Sequence, residues 1–244
     1  MKSAIRTLEL FEAFGAARRP LTLTDLAAAL DVPVSSCFGL VNALAGRGYL
    51  QPAGEKKAFY PTRKMLRCTE TIAAHEPVVA RLIPRLRRLR DETKETVILG
   101  QAQANWRGVI YLEVLEGPQS IRYSAAIGDI KPLHSSSIGK ALLSSLEPAA
   151  LETVLQKTSM DRVTRNTITA KAKLKSDIAA GTQRGYQMTI GENVADVGAV
   201  AAPLMVENKT FGIAIAAPLS RMDGDRKRLT TLLAGAMADL ASRD

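Results

Sequence analysis

A chain of 244 residues, 46% hydrophobic but only 5% aromatic, can fill one or two cored domains, largely with Leu, Val, Ile and Ala. Its formal charge of +9 favours a polyanionic partner, DNA before an anionic membrane, and also fits simple solubility. Two cysteines (Cys37, Cys68) and two histidines (His75, His134), without CxxC or HxxxH spacing, imply neither a disulfide framework nor a metal site, and no cofactor is expected. Residues 1–6 lead into an amphipathic pattern rather than a signal peptide, and no apolar run approaches ~18 residues. A cytoplasmic protein with no membrane partner is expected.

In chain order, Ile5, Leu8, Leu10, Phe11 and Phe14 predict a helix over 3–16. A second helix starts within 21–26 and stops near Asp31, with Thr22 or Thr24 as its cap and Leu26, Ala27, Ala29 and Leu30 as its packing face. After the Pro33 turn a third helix covers 34–47, with Phe38, Val41, Leu44 and Ala45 at helical spacing. Strands at 49–51 and 59–61 flank a Gly/Lys-rich hairpin tip. Helix, helix, turn, helix, hairpin is the order of a winged helix-turn-helix, placed at 1–64. Residues 65–94 read as helical and basic, broken at Pro77 and Pro84, with 65–77 a helical linker. Strands follow at 96–100, 108–115 and 121–125. Helices are expected at 137–146, 148–156 and 170–184, then an irregular loop from Gly185. Strands at 197–206 and 211–218 and a closing helix at 223–240 complete the chain. Antiparallel strands with helices mostly outside make 78–244 an α+β sensor domain.

A helix-turn-helix reads DNA because its second helix fits the major groove, where its first residues meet phosphates and base edges. Here the outward positions are Ser35, Ser36, Gly39 and Asn42, and Asn42 suits an adenine edge. Lys56 and Lys57 on the wing suit the backbone or minor groove, and Arg63 and Lys64 follow. With Thr24 and Arg47, the candidate DNA contacts are Thr24, Ser35, Ser36, Asn42, Arg47, Lys56, Lys57 and Arg63. Nine Lys/Arg against five Asp/Glu leave residues 1–66 at about +4. A plain helical bundle with a solvated lysine loop is the competing structural reading.

The sequence resembles the IclR family of bacterial transcriptional regulators over nearly its whole length. The N-terminal markers are Arg6-Thr7-Leu8-Glu9-Leu10-Phe11, Leu23-Thr24-Asp25-Leu26-Ala27, Val32-Pro33-Val34-Ser35-Ser36 and the run from Leu44 to Leu50. More specific are Pro132-Leu133-His134-Ser135-Ser136-Ser137-Ile138-Gly139-Lys140-Ala141-Leu142, and Gly191-Glu192 followed by Val200-Ala201-Ala202-Pro203-Leu204. The resemblance implies a winged helix-turn-helix, a linker helix and a GAF-like effector-binding domain with an antiparallel sheet. It implies a homodimer or homotetramer on a palindromic or pseudo-palindromic double-stranded operator, and a small-molecule effector. One departure stands out. Family members usually carry Arg where this chain has Gly39, which removes a strong DNA contact and costs the helix about 1 kcal/mol.

By the same resemblance the effector pocket is lined by Ser136, Ser137, Ile138, Gly139, Met188, Thr189, Ala199, Ala214 and Ala216. A helix starting at Ser137 has free N–H groups that favour a carboxylate; equally, Ser135–Ser137 cap that helix. Three alanines, where some relatives place Cys or Ser, predict an effector with an apolar or aromatic body and one carboxylate. His134 and Glu192 read as structural, Arg122 as an exposed strand arginine, and Trp106 as partly exposed or at an interface. No Gly-x-Ser-x-Gly elbow or GxxxxGK[ST] loop supports an enzyme, and no catalytic residue is assigned. The alternatives are an effector sensor whose DNA binding is weakened and a non-specific DNA binder.

Overall fold

A computed structural model describes residues 2–54, 57–74 and 77–241. Lys56, expected at the wing, and His75 lie outside these residues. The chain divides into two compact units, 1–77 and 78–244.

In the first unit α1 (Lys2–Ala17), α2 (Leu23–Ala29) and α3 (Val34–Gly46) precede an antiparallel hairpin, β1 (Leu50–Ala53) and β2 (Ala58–Pro61), and then α4 (Arg63–Ala74). Thr22 caps α2: its hydroxyl accepts from the Asp25 N–H at 3.2 Å, and the Asp25 carboxylate accepts from the Thr22 N–H at 3.0 Å. This reciprocal pair satisfies two otherwise orphaned donors. It also holds the Asp25 carboxyl below its ordinary range, through its bonds to Thr22 and the nearby Arg19. Leu21 and Phe59 exchange two backbone hydrogen bonds, which pins the hairpin to the start of α2. Leu10, Phe14, Leu26, Cys37, Val41 and Leu50 close the core. Cys37 is a buried free thiol, pushed up in pKa by desolvation. Phe38, expected on the packing face, is instead 54% exposed. Cys37 and Val41, four residues apart, take the inward arc, and residue 38 falls outside it.

The second unit has three layers. A six-stranded antiparallel sheet in the order β5-β4-β3-β8-β7-β6 lies in the middle. Its strands are β3 (Thr96–Ala102), β4 (Val109–Leu115), β5 (Ile130–Lys131), β6 (Gln187–Ile190), β7 (Val197–Val206) and β8 (Lys209–Pro218). One face packs against α5 (Pro77–Thr93) and α9 (Leu219–Ala241). The other packs against α6 (Ser137–Ser144) and α8 (Lys171–Arg184), with α7 (Pro148–Lys157) between them in sequence. Alternation along each strand divides the side chains unequally. Val200, Leu204, Val206, Ile213 and Ile215 fill the α5/α9 face. Ala199, Ala201, Ala214 and Ala216 are all that β7 and β8 present among the buried residues of the α6 face.

Three expectations are corrected here. Pro84 does not break α5. It lies on the exposed side, where the carbonyl it leaves unbonded meets solvent, while Leu82, Leu86 and Leu89 carry the buried stripe past it. Residues 121–125 are not a strand, and Arg122 is therefore not a strand residue; it pairs with Glu116 at 2.7 Å. That segment is held by side chains rather than a ladder: Thr96 Oγ1 donates to the Tyr123 carbonyl at 2.6 Å, and Arg221 donates to the Ile121 carbonyl at 2.9 Å. Arg221 is itself fixed by two hydrogen bonds to the buried Glu95 carboxylate. Finally, the irregular loop expected from Gly185 is mostly the edge strand β6, paired in register with β7 from Gln187↔Ala201 to Ile190↔Gly198. Gly185 ends α8 at φ 84°, a conformation glycine adopts freely, and the strand starts two residues later. Trp106 is half-buried beside the α6-side core.

Candidate functional site

The first site is the outward face of α3. Its N-terminus is closed by Pro33, whose carbonyl accepts from the Ser36 and Cys37 N–H groups, with no side-chain cap. Ser35, Ser36 and Asn42 are exposed, and among the described residues their side chains make no hydrogen bond, so their polar groups remain available to a partner. Gly39 is on the same face, and a Cβ built there meets nothing within 4 Å. Phe38 and Val34 add exposed apolar surface beside these polar positions. Thr24, Arg47, Lys57 and Arg63 are also exposed. Lys64 is committed elsewhere: its ammonium donates to the Arg47 carbonyl at 2.7 Å and sits 4.5 Å from the Tyr49 ring centroid.

The second site is a cavity between the alanine face of the sheet and the start of α6. Small side chains make it. Ile98 pairs across β3–β8 with Ala214, Ala216 pairs with Ala199, and Ala199 with Thr189. These five floor a narrow slot whose cavity volume is only about 30 Å³. Ser136 and Ser137 from the first turn of α6 face that floor. Tyr111, Tyr123, Asn193, Val194 and Val197 complete the wall. Ser136 is the helix cap: its hydroxyl accepts from the Gly139 N–H at 3.1 Å and donates to the Pro132 carbonyl at 2.6 Å. The capping role therefore occupies the Ser136 hydroxyl, as donor and as acceptor.

Of the nine expected lining residues, Ser136, Ser137, Thr189, Ala199, Ala214 and Ala216 come together here. Ile138, Gly139 and Met188 do not. Ile138 is driven between the backbones of Gly100 and Gly212, which face each other across β3 and β8; a Cβ at Gly212 would lie 2.6 Å from its Cγ2. Gly139 lets α6 rest on the backbone of Leu133, whose carbonyl oxygen would be 2.2 Å from an added Cβ. Met188 points to the α5/α9 side, because on β6 it alternates with the inward Thr189. Tyr111, Tyr123, Ile98, Asn193, Val194 and Val197 were not singled out in the sequence. The alternation Val109-x-Tyr111 in β4 was the available signal for Tyr111. The loop residues gave none.

Behind the cavity is a buried ion cluster that the sequence reading missed. Lys140 is fully buried on α6, and its ammonium donates to Asp177 Oδ2 at 2.7 Å, Glu192 Oε1 at 2.7 Å and the Met188 carbonyl at 3.4 Å. The cluster ties α6, α8, the end of β6 and the following turn together. Burial pushes the Glu192 carboxyl up in pKa; the attraction of Lys140 opposes this without overcoming it, and the Asp177 charge adds to the rise. Thr164 and Thr167 bind the Gly191 and Glu192 carbonyls in the same turn. His134 is buried, with Nε2 bonded to the Asp161 carbonyl at 2.9 Å, and does not line the cavity. No group of three or more metal-binding side chains occurs among the described residues. No single helix among them is long and apolar enough to cross a membrane.

Comparison with known proteins identifies both units. Residues 3–54 match the family described as IclR helix-turn-helix domain, and residues 70–242 match Bacterial transcriptional regulator IclR C-terminal. The HTH-type transcriptional regulator BhcR of Paracoccus denitrificans is 31% identical over 208 residues, covering 84% of this chain and 74% of that protein. The acetate operon repressor of Salmonella typhimurium is 27% identical over 253 residues, covering 100% of this chain and 88% of its own. Among solved structures, an IclR homolog from Microbacterium hydrocarbonoxydans complexed with 4-hydroxybenzoate shares the fold with a TM-score of 0.73 at 23% identity, covering 98% of this chain and 99% of that one. An N-terminal helix-turn-helix with an exposed reading helix, and an effector-type domain whose sheet is hollowed on one face, match two successive parts of one known architecture: the chain belongs to the IclR family of DNA-binding bacterial transcriptional regulators.

Proposed function

We propose that this regulator binds a palindromic or pseudo-palindromic operator as a homodimer or homotetramer, and that a small organic acid with an apolar or aromatic body controls that binding. The observation that carries the reading is the slot in the second unit: alanines floor it, and the first turn of α6 opens on it. The floor accepts an apolar body, and the first-turn N–H groups that the Ser136 hydroxyl does not bond favour a carboxylate. A relative crystallised with 4-hydroxybenzoate supports an effector of this class. The DNA contacts we assign are Thr24, Ser35, Ser36, Asn42, Arg47, Lys57 and Arg63, with residues 65–77 as the linker. The effector acts by population shift. It binds one arrangement of the assembly better than another, and without that difference it changes nothing. It is bound, not turned over.

Selection of genomic fragments by the purified protein, followed by sequencing, tests the DNA half. A few sharp sites with inverted half-sites are expected, and genes beside them nominate acids for titration. A diffuse, salt-steep smear would instead favour weakened, non-specific binding, the reading that Gly39 supports. Filling the slot with Ala214→Leu is expected to abolish the response to acid while operator binding survives. A response restricted to small hydrophilic acids would refute the apolar-body assignment.

A further inference from the structure

The ion cluster behind the slot sets one cation against two anions. Lys140 Nζ is fully buried and stands 2.7 Å from both Asp177 Oδ2 and Glu192 Oε1. With both carboxyls ionised, the cluster holds a net negative charge away from water. The two carboxyls are not equivalent. The Asp177 side chain is 28% exposed and can be hydrated, whereas that of Glu192 is 10% exposed. Glu192 Oε2 is buried and has no hydrogen-bond partner among the described residues. A carboxylate with one oxygen bare of donors gains more from a proton than one in contact with water. The upward pKa of Glu192 agrees with this geometry.

The surroundings keep Glu192 in place. The Thr164 and Thr167 hydroxyls donate to the Gly191 and Glu192 carbonyls at 2.6 and 2.8 Å. Gly191 sits at φ 64°, and a Cβ there would lie 2.6 Å from the Ala195 carbonyl oxygen, so the turn is closely packed. The charged groups that face Glu192 are Lys140 from α6 and Asp177 from α8. β6 adds the Met188 carbonyl on Lys140, and the loop before α8 adds the two threonine hydroxyls. His134 is engaged elsewhere, on the Asp161 carbonyl.

The same elements build the slot. Ser136 and Ser137 stand about one turn before Lys140, Thr189 follows Met188 on β6, and Asn193 follows Glu192 in the turn. A carboxylate bound at the start of α6 is therefore a third negative charge set against the cluster. Lys140 is already shared between two anions. The repulsion falls on the group that can give up its charge, which is Glu192.

Building on the organic-acid reading, we infer that this cluster is a proton site linked to the slot: an acid effector binds together with a proton that Glu192 takes from solvent, and the regulator answers it more strongly as pH falls. No bond of the effector changes. The linkage is reciprocal, so protonation of Glu192 tightens effector binding by the factor by which the effector tightens the proton.

Calorimetric titration of the full-length protein tests this, with isobutyrate, benzoate and 4-hydroxybenzoate each in two buffers of different ionisation heat. The difference counts the protons taken up per bound anion. Above about pH 5.5 the probes' own carboxyls are ionised, so uptake belongs to the protein. Wild type is expected to take up roughly half a proton at a pH between about 5.5 and 7.5, where affinity rises about threefold per unit fall in pH. Glu192→Gln, of nearly the same shape, should bind with no uptake and a flat pH profile. Asp177→Asn leaves Lys140 with a single anion, so Glu192 keeps its charge and uptake should fall by about twofold or more. A purely structural cluster would change melting or affinity at every pH alike and leave the proton count as it was. Thermal melts report whether each variant keeps its fold, and either variant alone carries the test. Binding without uptake in wild type, or uptake undiminished in either variant, overturns the inference and leaves the organic-acid reading in place. If none of the three acids binds, both are overturned.

Discussion

Replacing Gly39 separates helix stability from DNA recognition. Gly39 is the sixth residue of a 13-residue helix, its conformation is helical, and an added Cβ meets nothing within 4 Å. Gly39→Ala therefore incurs no packing or strain cost and gains the helix about 0.8–1 kcal/mol. That corresponds to roughly four- to fivefold slower exchange of the α3 amides, measured by hydrogen exchange on the full chain. Trp106, the single tryptophan, belongs to the second unit and supplies an internal control: its unfolding signal should not move. Gly39→Arg uses the same open space for a contact to phosphate or guanine. Duplex binding should tighten on the order of tenfold, and the slope of log affinity against log salt should steepen by about 0.9 for one added phosphate contact. Faster α3 exchange in Gly39→Ala would show that the helix needs glycine there. An unchanged salt slope in Gly39→Arg would show that this face of α3 does not meet DNA.

The remaining expectations concern the ion cluster and the exposed phenylalanine. Lys140→Met leaves Asp177 and Glu192 facing each other without their cation, and should cost about 3–5 kcal/mol in urea unfolding. The triple variant Lys140→Met/Asp177→Asn/Glu192→Gln should recover most of this loss; no recovery would mean the packing of Lys140, not its charge, holds the site. Glu192 has a folded pKa raised above its ordinary 4.5, so its contribution is complete below pH 4.5 and is lost as pH rises through the raised value. Wild type should therefore lose stability relative to Glu192→Gln as pH rises from 4.5, and the opposite slope would mean the Lys140 attraction outweighs burial. Phe38 faces outward beside Asn42, where an aromatic edge can meet a thymine methyl. Replacing the operator's thymines one at a time with uracil, which removes only that methyl, should weaken wild-type binding about fourfold at one position and leave Phe38→Ala indifferent to the change. Equal sensitivity of both proteins would refute the contact.

The helical and strand periods of the sequence located nearly every element. Apolar spacing placed α1 to α3, and the alanine-rich runs at 197–206 and 211–218 read correctly as paired strands. What escaped were features that depend on distant partners. Residues 121–125 have a strand's composition, but Thr96 and Arg221 satisfy the backbone that a neighbouring strand would otherwise have paired. β6 is four residues long, and its pairing with β7 gives it regularity that its own composition does not. In the motif around Ser136 the capping role was legible and the roles of the residues after it were not. Gly139 and Ile138 serve close packing, and Lys140, set among Ile138, Ala141 and Leu142, finds its partners 37 and 52 residues further along. A cation in an apolar run signals that a buried partner exists, but only the fold identifies it.

The unequal faces of β7 and β8 give the protein two separate mutational ledgers. Exchanges at Ala199, Ala214 and Ala216 change what the slot admits, whereas those at Val200, Ile213 and Ile215 are felt by α5 and α9. Because the two sets alternate along the same strands, the shape of the slot can drift one residue at a time while the opposite layer keeps the domain folded. On the proposed reading of the slot, a lineage, or an engineer, can retune what this regulator senses without rebuilding it.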